Sequence, residues 1–218
     1  MNQEISRPVL VWDLPVRVLH WLIVIAVGVS WWSAEQRIMD VHRYSGYTLL
    51  GLVVFRIYWG FAGSSTARFR EFIRGPRAIV EYLRSPPVPA QPGHNPLGGW
   101  SVLALLLLLA TQVTLGLFVT DVDGLESGPL SYLVSFETSR ALAEAHEIVF
   151  NVLLAFITLH VVAVFFYLLA RRTNLIGAMF TGRRPARAVA AGAAIVSLWR
   201  AVPGIALAGL IVWYVASE

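Results

Sequence analysis

The chain has 218 residues, 57% of them hydrophobic and 14% charged, which is too apolar for an ordinary soluble domain. It has no cysteine, and that excludes disulfides, thiolate metal sites, cysteine-ligated iron–sulfur clusters and haem attached through Cys-x-x-Cys-His. All 17 basic residues are arginine against 13 carboxylates, and the net +4 comes from arginines beside apolar blocks, a topology signal rather than a nucleic-acid footprint.

The apolar blocks each approach or exceed the roughly 20 residues that cross about 30 Å of hydrocarbon as a helix. Residues 1–14 are mixed, and the block after them runs too long and carries His20 too early for a removable signal peptide. It reads instead as a first span, Pro15 to Ser33, with Trp12, Trp31 and Trp32 as interfacial aromatics. A second span is expected from His42 to Phe61, with Tyr44, Tyr58 and Trp59 near its ends. The linker 62–98 follows, with arginines at 68, 70, 74, 77 and 84. Inside it, PRAIVEYLR places a proline at the first helical position and Ile79, Val80 and Leu83 on one side, predicting a short amphipathic helix in the membrane surface. SPPVPAQPGHNP reads as a proline-rich loop. Trp100 opens a third span that continues to Val119, and a fourth covers Arg140 to Ala170, long enough to project beyond the bilayer. Arg171, Arg172, Arg183, Arg184 and Arg187 follow it, and a weaker fifth span lies at Ser197 to Ala216, with Arg200 at its inner end and Pro203 inside. The pieces between spans are short and leave no room for a soluble catalytic domain, and no internal repeat at a fixed period is found.

The loops opposite the arginines are acidic: Glu35 and Asp40 in the first, Asp121, Asp123, Glu126 and Glu137 in the second. Short arginine-rich loops stay on the cytoplasmic side. The N-terminus, the 62–98 linker and the 171–190 segment are therefore expected in the cytoplasm of a multi-pass bacterial inner-membrane protein, with loops 34–41 and 120–139 in the periplasm.

Five histidines are present: His20, His42, His94, His146 and His160. Four fall inside expected spans, where an ionisable side chain is costly and faces a bundle interior or a function. His20 lies near the cytoplasmic end of the first span, and His42 begins the second at the opposite side. His146 lies near the periplasmic end of the fourth, and His160 in its cytoplasmic half. His146 and His160 are fourteen residues apart, close to four whole turns, so they share one helix face about 21 Å apart. Two bis-histidine pairs follow, His42 with His146 at the outer level and His20 with His160 at the inner level. Bis-imidazole ligation suits a b-type haem that conducts electrons because both axial positions are filled. Gly28, Gly46, Gly51 and Gly116 are candidates to line a flat macrocycle. Arg56, fourteen residues after His42, is a candidate partner for a propionate of the inner haem.

The plainer readings stand beside these. A lone intramembrane histidine more often bonds a neighbouring carbonyl than a metal, but four at two matched depths argue for haem iron. One zinc ion cannot span the two levels, and no cysteine assists it. A proton relay stays open, though such relays usually carry buried acids, and here Glu144 and Glu147 lie at the outer edge. His94, in GHNP, reads as a loop residue that caps the third span or meets a propionate. For Arg56 the alternative is snorkelling to the interface. For Thr111, Gln112 and Thr114 it is hydrogen bonding between helices rather than a quinone pocket.

VWDLPVRVLHW, HRYSGYTLLGLVVFRIYWG, ARFREFIRGPRAIVEYLR, GHNPLGGW and AEAHEIVFNVLLAFITLH occur in that order, and together they resemble the bacterial cytochrome b561 family. That family includes the b-type cytochrome subunits of nickel–iron hydrogenases. The resemblance covers residues 9–182 and implies an all-α four-helix transmembrane bundle holding two b haems, one towards each face. It implies His20, His42, His146 and His160 as axial ligands, and electron transfer between a periplasmic redox partner and membrane quinone. Residues 183–218 form a C-terminal extension with the fifth helix, outside the shared core. The partner is left open among hydrogenase subunits, a dehydrogenase and a c-type cytochrome, and self-pairing of the chain is also open. The acidic outer loops would steer a basic partner in a salt-sensitive way. A self-contained membrane oxidoreductase, acting on superoxide, quinol or ferric iron, is the alternative, and a haem-free anchor is a third reading.

Overall fold

The computed structural model describes residues 8–84, 93–186 and 192–218. Most of the expected proline-rich loop, residues 85–92, and Arg187 lie outside the described residues. The elements are β1 (Val9–Leu10), α1 (Leu14–Glu35), α2 (Met39–Ala62), α3 (Phe69–Phe72), α4 (Pro76–Arg84), α5 (Pro96–Gly116), α6 (Phe136–Leu169), α7 (Leu175–Thr181), β2 (Arg183–Arg184) and α8 (Ala201–Ala216). The expected amphipathic segment forms a helix over the whole of Pro76–Arg84. At about 1.5 Å per residue, the 34 residues of α6 run about 51 Å, well beyond a bilayer core.

Four helices among the described residues are long and apolar enough to cross a membrane: Leu14–Glu35, Pro96–Gly116, Phe136–Leu169 and Leu198–Ala216. The chain is an all-α, multi-pass membrane protein. The fifth segment, expected as the weaker one, is therefore among these spans, whereas α2, expected as the second, falls outside this set. Asp40, Arg43 and Arg56 dilute its apolar residues. Its 24 residues still reach about 36 Å at about 1.5 Å each. In the most apolar stretch of α6 only 6% of residues are enclosed by protein, so its leucines, valines and phenylalanines need lipid around them.

The chain folds as two units, each assembled from three separate stretches of sequence. The first contains Met1–Val18, Tyr58–Leu103 and Leu159–Ala201. Asp13 caps α1 here, its Oδ1 accepting from the Val16 amide at 3.0 Å, while its Oδ2 accepts from the Trp59 indole at 3.0 Å. Both residues are buried. Asn95 caps α5 by accepting from the Gly98 amide at 2.7 Å, and Pro96 occupies the first helical position beside it. The amide of Asn95 also donates to Tyr82 and Tyr167, whose hydroxyls share a 2.8 Å hydrogen bond. This cluster fastens the surface helix α4 to the end of α6. Burial and the Tyr167 bond push the Tyr82 hydroxyl up to about 12, which keeps it protonated at any ordinary pH.

Gly182 ends α7 in the left-handed conformation, φ 77°. Its carbonyl accepts from the amides of Val11 and Trp12 at 2.8 and 3.1 Å. A Cβ at Gly182 would stand 2.7 Å from the Trp12 carbonyl, so only glycine permits this approach. The same seam continues as the two-residue antiparallel pairing of Val9 with Arg184 and Leu10 with Arg183, the one strand pair in an otherwise helical chain among the described residues. The segment before α8 is stitched down by Ala193 to Leu10, Ser65 to Ala194 and Val196 to Ser64, and Tyr58 donates to the Arg200 carbonyl at 2.8 Å.

The second unit contains Leu19–Ile57, Ala104–Thr158 and Val202–Glu218. Its core joins Ala26 of α1, Leu49 and Val53 of α2, Leu109 and Val113 of α5, and Leu153 of α6. The four-helix core expected for the shared region is thus present in this unit, with the less apolar α2 inside it. Gly51 belongs to helix packing rather than to a macrocycle wall: a Cβ there would meet Val212 of α8 at 3.2 Å. Where α6 meets the loop after α5, Ser139 donates to the Phe118 carbonyl at 2.6 Å and shares a 2.6 Å hydrogen bond with the Thr120 hydroxyl, and Arg43 pairs with Glu126 at 3.0 Å. By sequence the first unit carries 13 arginines against 4 carboxylates, net +9, and the second 4 against 9, net −5.

Candidate functional site

His42 and His146 meet in the second unit, with ring centroids 6.3 Å apart and planes at 81°. His42 sits in the first turn of α2, and its Nδ1 lies 2.8 Å from the carbonyl oxygen of Ser30 on α1. His146 projects from α6, its Nδ1 3.0 Å from the carbonyl oxygen of Gln112 on α5. A carbonyl oxygen can only accept, so Nδ1 carries a proton in both rings, which in a neutral imidazole leaves the lone pair on Nε2. A histidine ligand is held in this way, its second nitrogen donating to a carbonyl that fixes tautomer and ring orientation.

The spacing fits one metal between the rings. With each nitrogen about 2 Å from the metal and about 1 Å from its own ring centre, two axial imidazoles stand about 6 Å apart. No group of three or more His, Asp or Glu able to hold a metal ion occurs among the described residues. A tetrahedral zinc site is therefore unsupported, whereas a porphyrin brings four equatorial donors of its own and needs only the axial two. A Cβ at Gly116 would lie 3.1 Å from Cε1 of His146, so that glycine leaves the ring its place. Gly28 and Gly46 have open space where a Cβ would stand: among the described residues, their own helix backbone aside, nothing comes within 4 Å.

Around His42 the oxygen atoms are layered. Ser33, fully buried, donates its hydroxyl to the same Ser30 carbonyl at 3.1 Å. Ser45 donates to the carbonyl of His42 at 2.8 Å. Gln112, besides its backbone role beside His146, has a buried side chain whose Oε1 finds no hydrogen-bond partner among the described residues.

The other sequence candidates lie elsewhere. His20, on α1, belongs to the second unit and stands edge-on to Trp21 at 4.9 Å, while His160 of α6 belongs to the first. Arg56 is 7% exposed, so protein rather than solvent surrounds its guanidinium at this position. His94 does not cap α5, a role Asn95 takes. Its ring instead lies against Trp12 and Phe72, with centroids 4.7 and 4.9 Å away. Thr111 and Thr114 are exposed on α5.

Sequence reading passes over Asp13, Ser30 and Ser33. Asp13 carries a legible signal, since an acidic residue directly before a helix opening Leu-Pro is a capping signature. Ser30 carries none, because its shorter contact with His42, at 2.8 Å, is made by a backbone carbonyl that any residue type supplies, and its hydroxyl stands 3.3 Å from the same nitrogen.

The family model for prokaryotic cytochrome b561 matches residues 11–182. Comparison with curated proteins found no match, and comparison with solved structures found none.

Proposed function

The chain belongs to the prokaryotic cytochrome b561 family, and from that premise we propose that it is a di-haem electron carrier of the bacterial inner membrane. The family makes it a membrane b-type cytochrome that binds haem and transfers electrons. His42 and His146 hold the outer haem in this reading, and His20 and His160 the inner one. Haem, when bound with both axial positions filled, supplies a one-electron iron couple rather than an oxygen site. The observation that carries the reading is the His42–His146 pair, each Nδ1 committed to a carbonyl. For the inner pair the support is the fourteen-residue spacing of His146 and His160 on α6.

Charge sets the direction in which the chain is read. The arginine-rich ends belong in the cytoplasm and the acidic loops in the periplasm. A basic redox protein, whether a hydrogenase subunit, a dehydrogenase or a c-type cytochrome, exchanges electrons beside His42 and His146. Quinone exchanges them at the cytoplasmic side. There Arg17 is the donor we assign to a quinone oxygen, since its Nε is buried and makes no hydrogen bond among the described residues. Arg56 and His94 are the further candidates, and Arg56 is also assigned to an inner propionate.

Purified wild type is expected to contain two low-spin b haems per chain by pyridine haemochrome analysis and reduced-minus-oxidised spectra. A single haem, or none in protein from haem-replete cells, would sink the di-haem reading.

Ser33→Ala should lower the midpoint potential of the haem held by His42. Without the serine hydroxyl the Ser30 carbonyl accepts more strongly from Nδ1, the imidazole becomes more anionic, and ferric iron is favoured. The shift is on the order of 20 mV, a fraction of one hydrogen bond's net value at about 59 mV per tenfold change. A potentiometric titration checks it, and an unchanged or raised potential would refute this role for Ser33.

A further inference from the structure

At the end of α2 the chain turns back over the helix. Gly60 makes this possible, since any Cβ there would occupy the ring of Phe69. The rings of Phe61 and Phe69 pack with centroids 5.3 Å apart. Beside this turn lies a recess of about 210 Å³ walled by Gly60, Phe61, Arg68 and Arg70.

Its charges are unbalanced. Arg68 and Arg70 both lean on one oxygen, Oε1 of Glu71, at 3.4 and 3.2 Å. One carboxylate thus faces two guanidinium groups. Arg68 is the more enclosed, its side chain 26% exposed against 74% for Arg70, and its Nε is buried with no hydrogen-bond partner among the described residues. A buried N–H of a charged group is costly unless an acceptor reaches it. The wider segment 62–84 adds to the field, with five arginines against two glutamates.

The setting specifies the acceptor. Phe61 is 72% exposed at the last turn of α2, where a span meets the membrane surface. The surface helix α4 follows, with Val80 and Leu83 exposed on its apolar side and Arg77 among its charges. A planar guanidinium with free N–H groups matches a phosphate oxygen pair. We propose that this recess is a phosphate site filled by the headgroup of an anionic phospholipid, with Phe61 lying along the start of its acyl chains. Glu71 engages both arginines until the phosphate arrives. The site is independent of the haem assignment.

The test uses the full haem-loaded chain, delipidated in a mild detergent and titrated with phosphatidylglycerol, phosphatidylcholine or inorganic phosphate, with bound lipid read by native mass spectrometry. Wild type should retain one phosphatidylglycerol in preference to phosphatidylcholine. R68Q and R70Q should each weaken retention about fivefold, the usual worth of one arginine against an anionic lipid surface. E71Q should strengthen it by releasing both guanidinium groups, a gain that a merely structural role for Glu71 would not produce. An unchanged haem spectrum in all three variants shows that they are folded. Inorganic phosphate binding saturably in wild type and not in R68Q would keep the phosphate site and assign it to a soluble ligand. Equal retention of both lipids, indifference to the arginines, or haem loss in R68Q with lipid retention intact would overturn the proposal.

Discussion

Replacing His146 with alanine is expected to lower the haem content from two per chain to about one, while the remaining haem keeps its low-spin spectrum and potential. His146 and His42 face each other across 6.3 Å, and each is oriented by a carbonyl on a different helix. Removing either imidazole leaves one axial ligand, and the other ring cannot swing to replace it because its Nδ1 is tied down. His42→Ala should therefore give the same product as His146→Ala, the same haem missing and the same haem retained. His160→Ala should remove the other one. The measurement is haem quantitation with redox titration on the three variants. If His42→Ala and His146→Ala affect different haems the pairing is wrong, and if either leaves both haems in place that residue is not a ligand.

The second large effect concerns stability rather than redox chemistry. Asp13→Ala removes the cap of α1 and leaves the buried Trp59 indole without its acceptor in one change. Loss of a helix cap costs about 1 kcal/mol, and a hydrogen bond to a charged group about 1.5–3 kcal/mol, so the sum is about 3 kcal/mol. In a chain of this size that corresponds to an apparent midpoint lowered by roughly 6–12 °C. The loss of the haem absorbance on heating in detergent follows it. Asp13→Asn keeps an acceptor for the Val16 amide and should recover most of the difference. Trp59→Phe loses only the indole bond and should fall between. Wild-type behaviour of Asp13→Ala would mean that the buried carboxylate contributes nothing net.

Much of this is legible along the chain. The amphipathic helix Pro76–Arg84 can be read residue for residue, because the proline start and the one-sided placement of Ile79, Val80 and Leu83 are local signals. The histidine pair at the acidic end follows from depth along two spans and from the spacing on α6. The relative strength of two helices is misjudged along the chain. Pro203 and Arg200 make the C-terminal segment look the weaker span, yet its helix is long and apolar enough to cross a membrane, whereas α2, with Asp40, Arg43 and Arg56, falls outside that set. In α2 the packing of Leu49, Val53 and Gly51 against neighbouring helices replaces part of what lipid exposure demands elsewhere. His94 reads as a cap because it lies one residue from the true cap, Asn95. Only the approach of Trp12 and Phe72 from distant parts of the chain explains its ring.

That this is a helical membrane protein, where its arginines concentrate, and which histidines share a helix face all follow from the order of residues alone. These properties depend on transfer free energy and on a fixed rise per residue, both of which act locally. Which carbonyls orient His42 and His146 emerges only from the folded chain. It alone showed that Asp13 reaches Trp59 across 46 positions, that Gly182 receives the N-terminal strand, and that two arginines share one carboxylate beside an open recess. Such contacts arise where the chain returns to itself. They are made largely by backbone carbonyls and single polar side chains, for which no periodic pattern in the sequence exists.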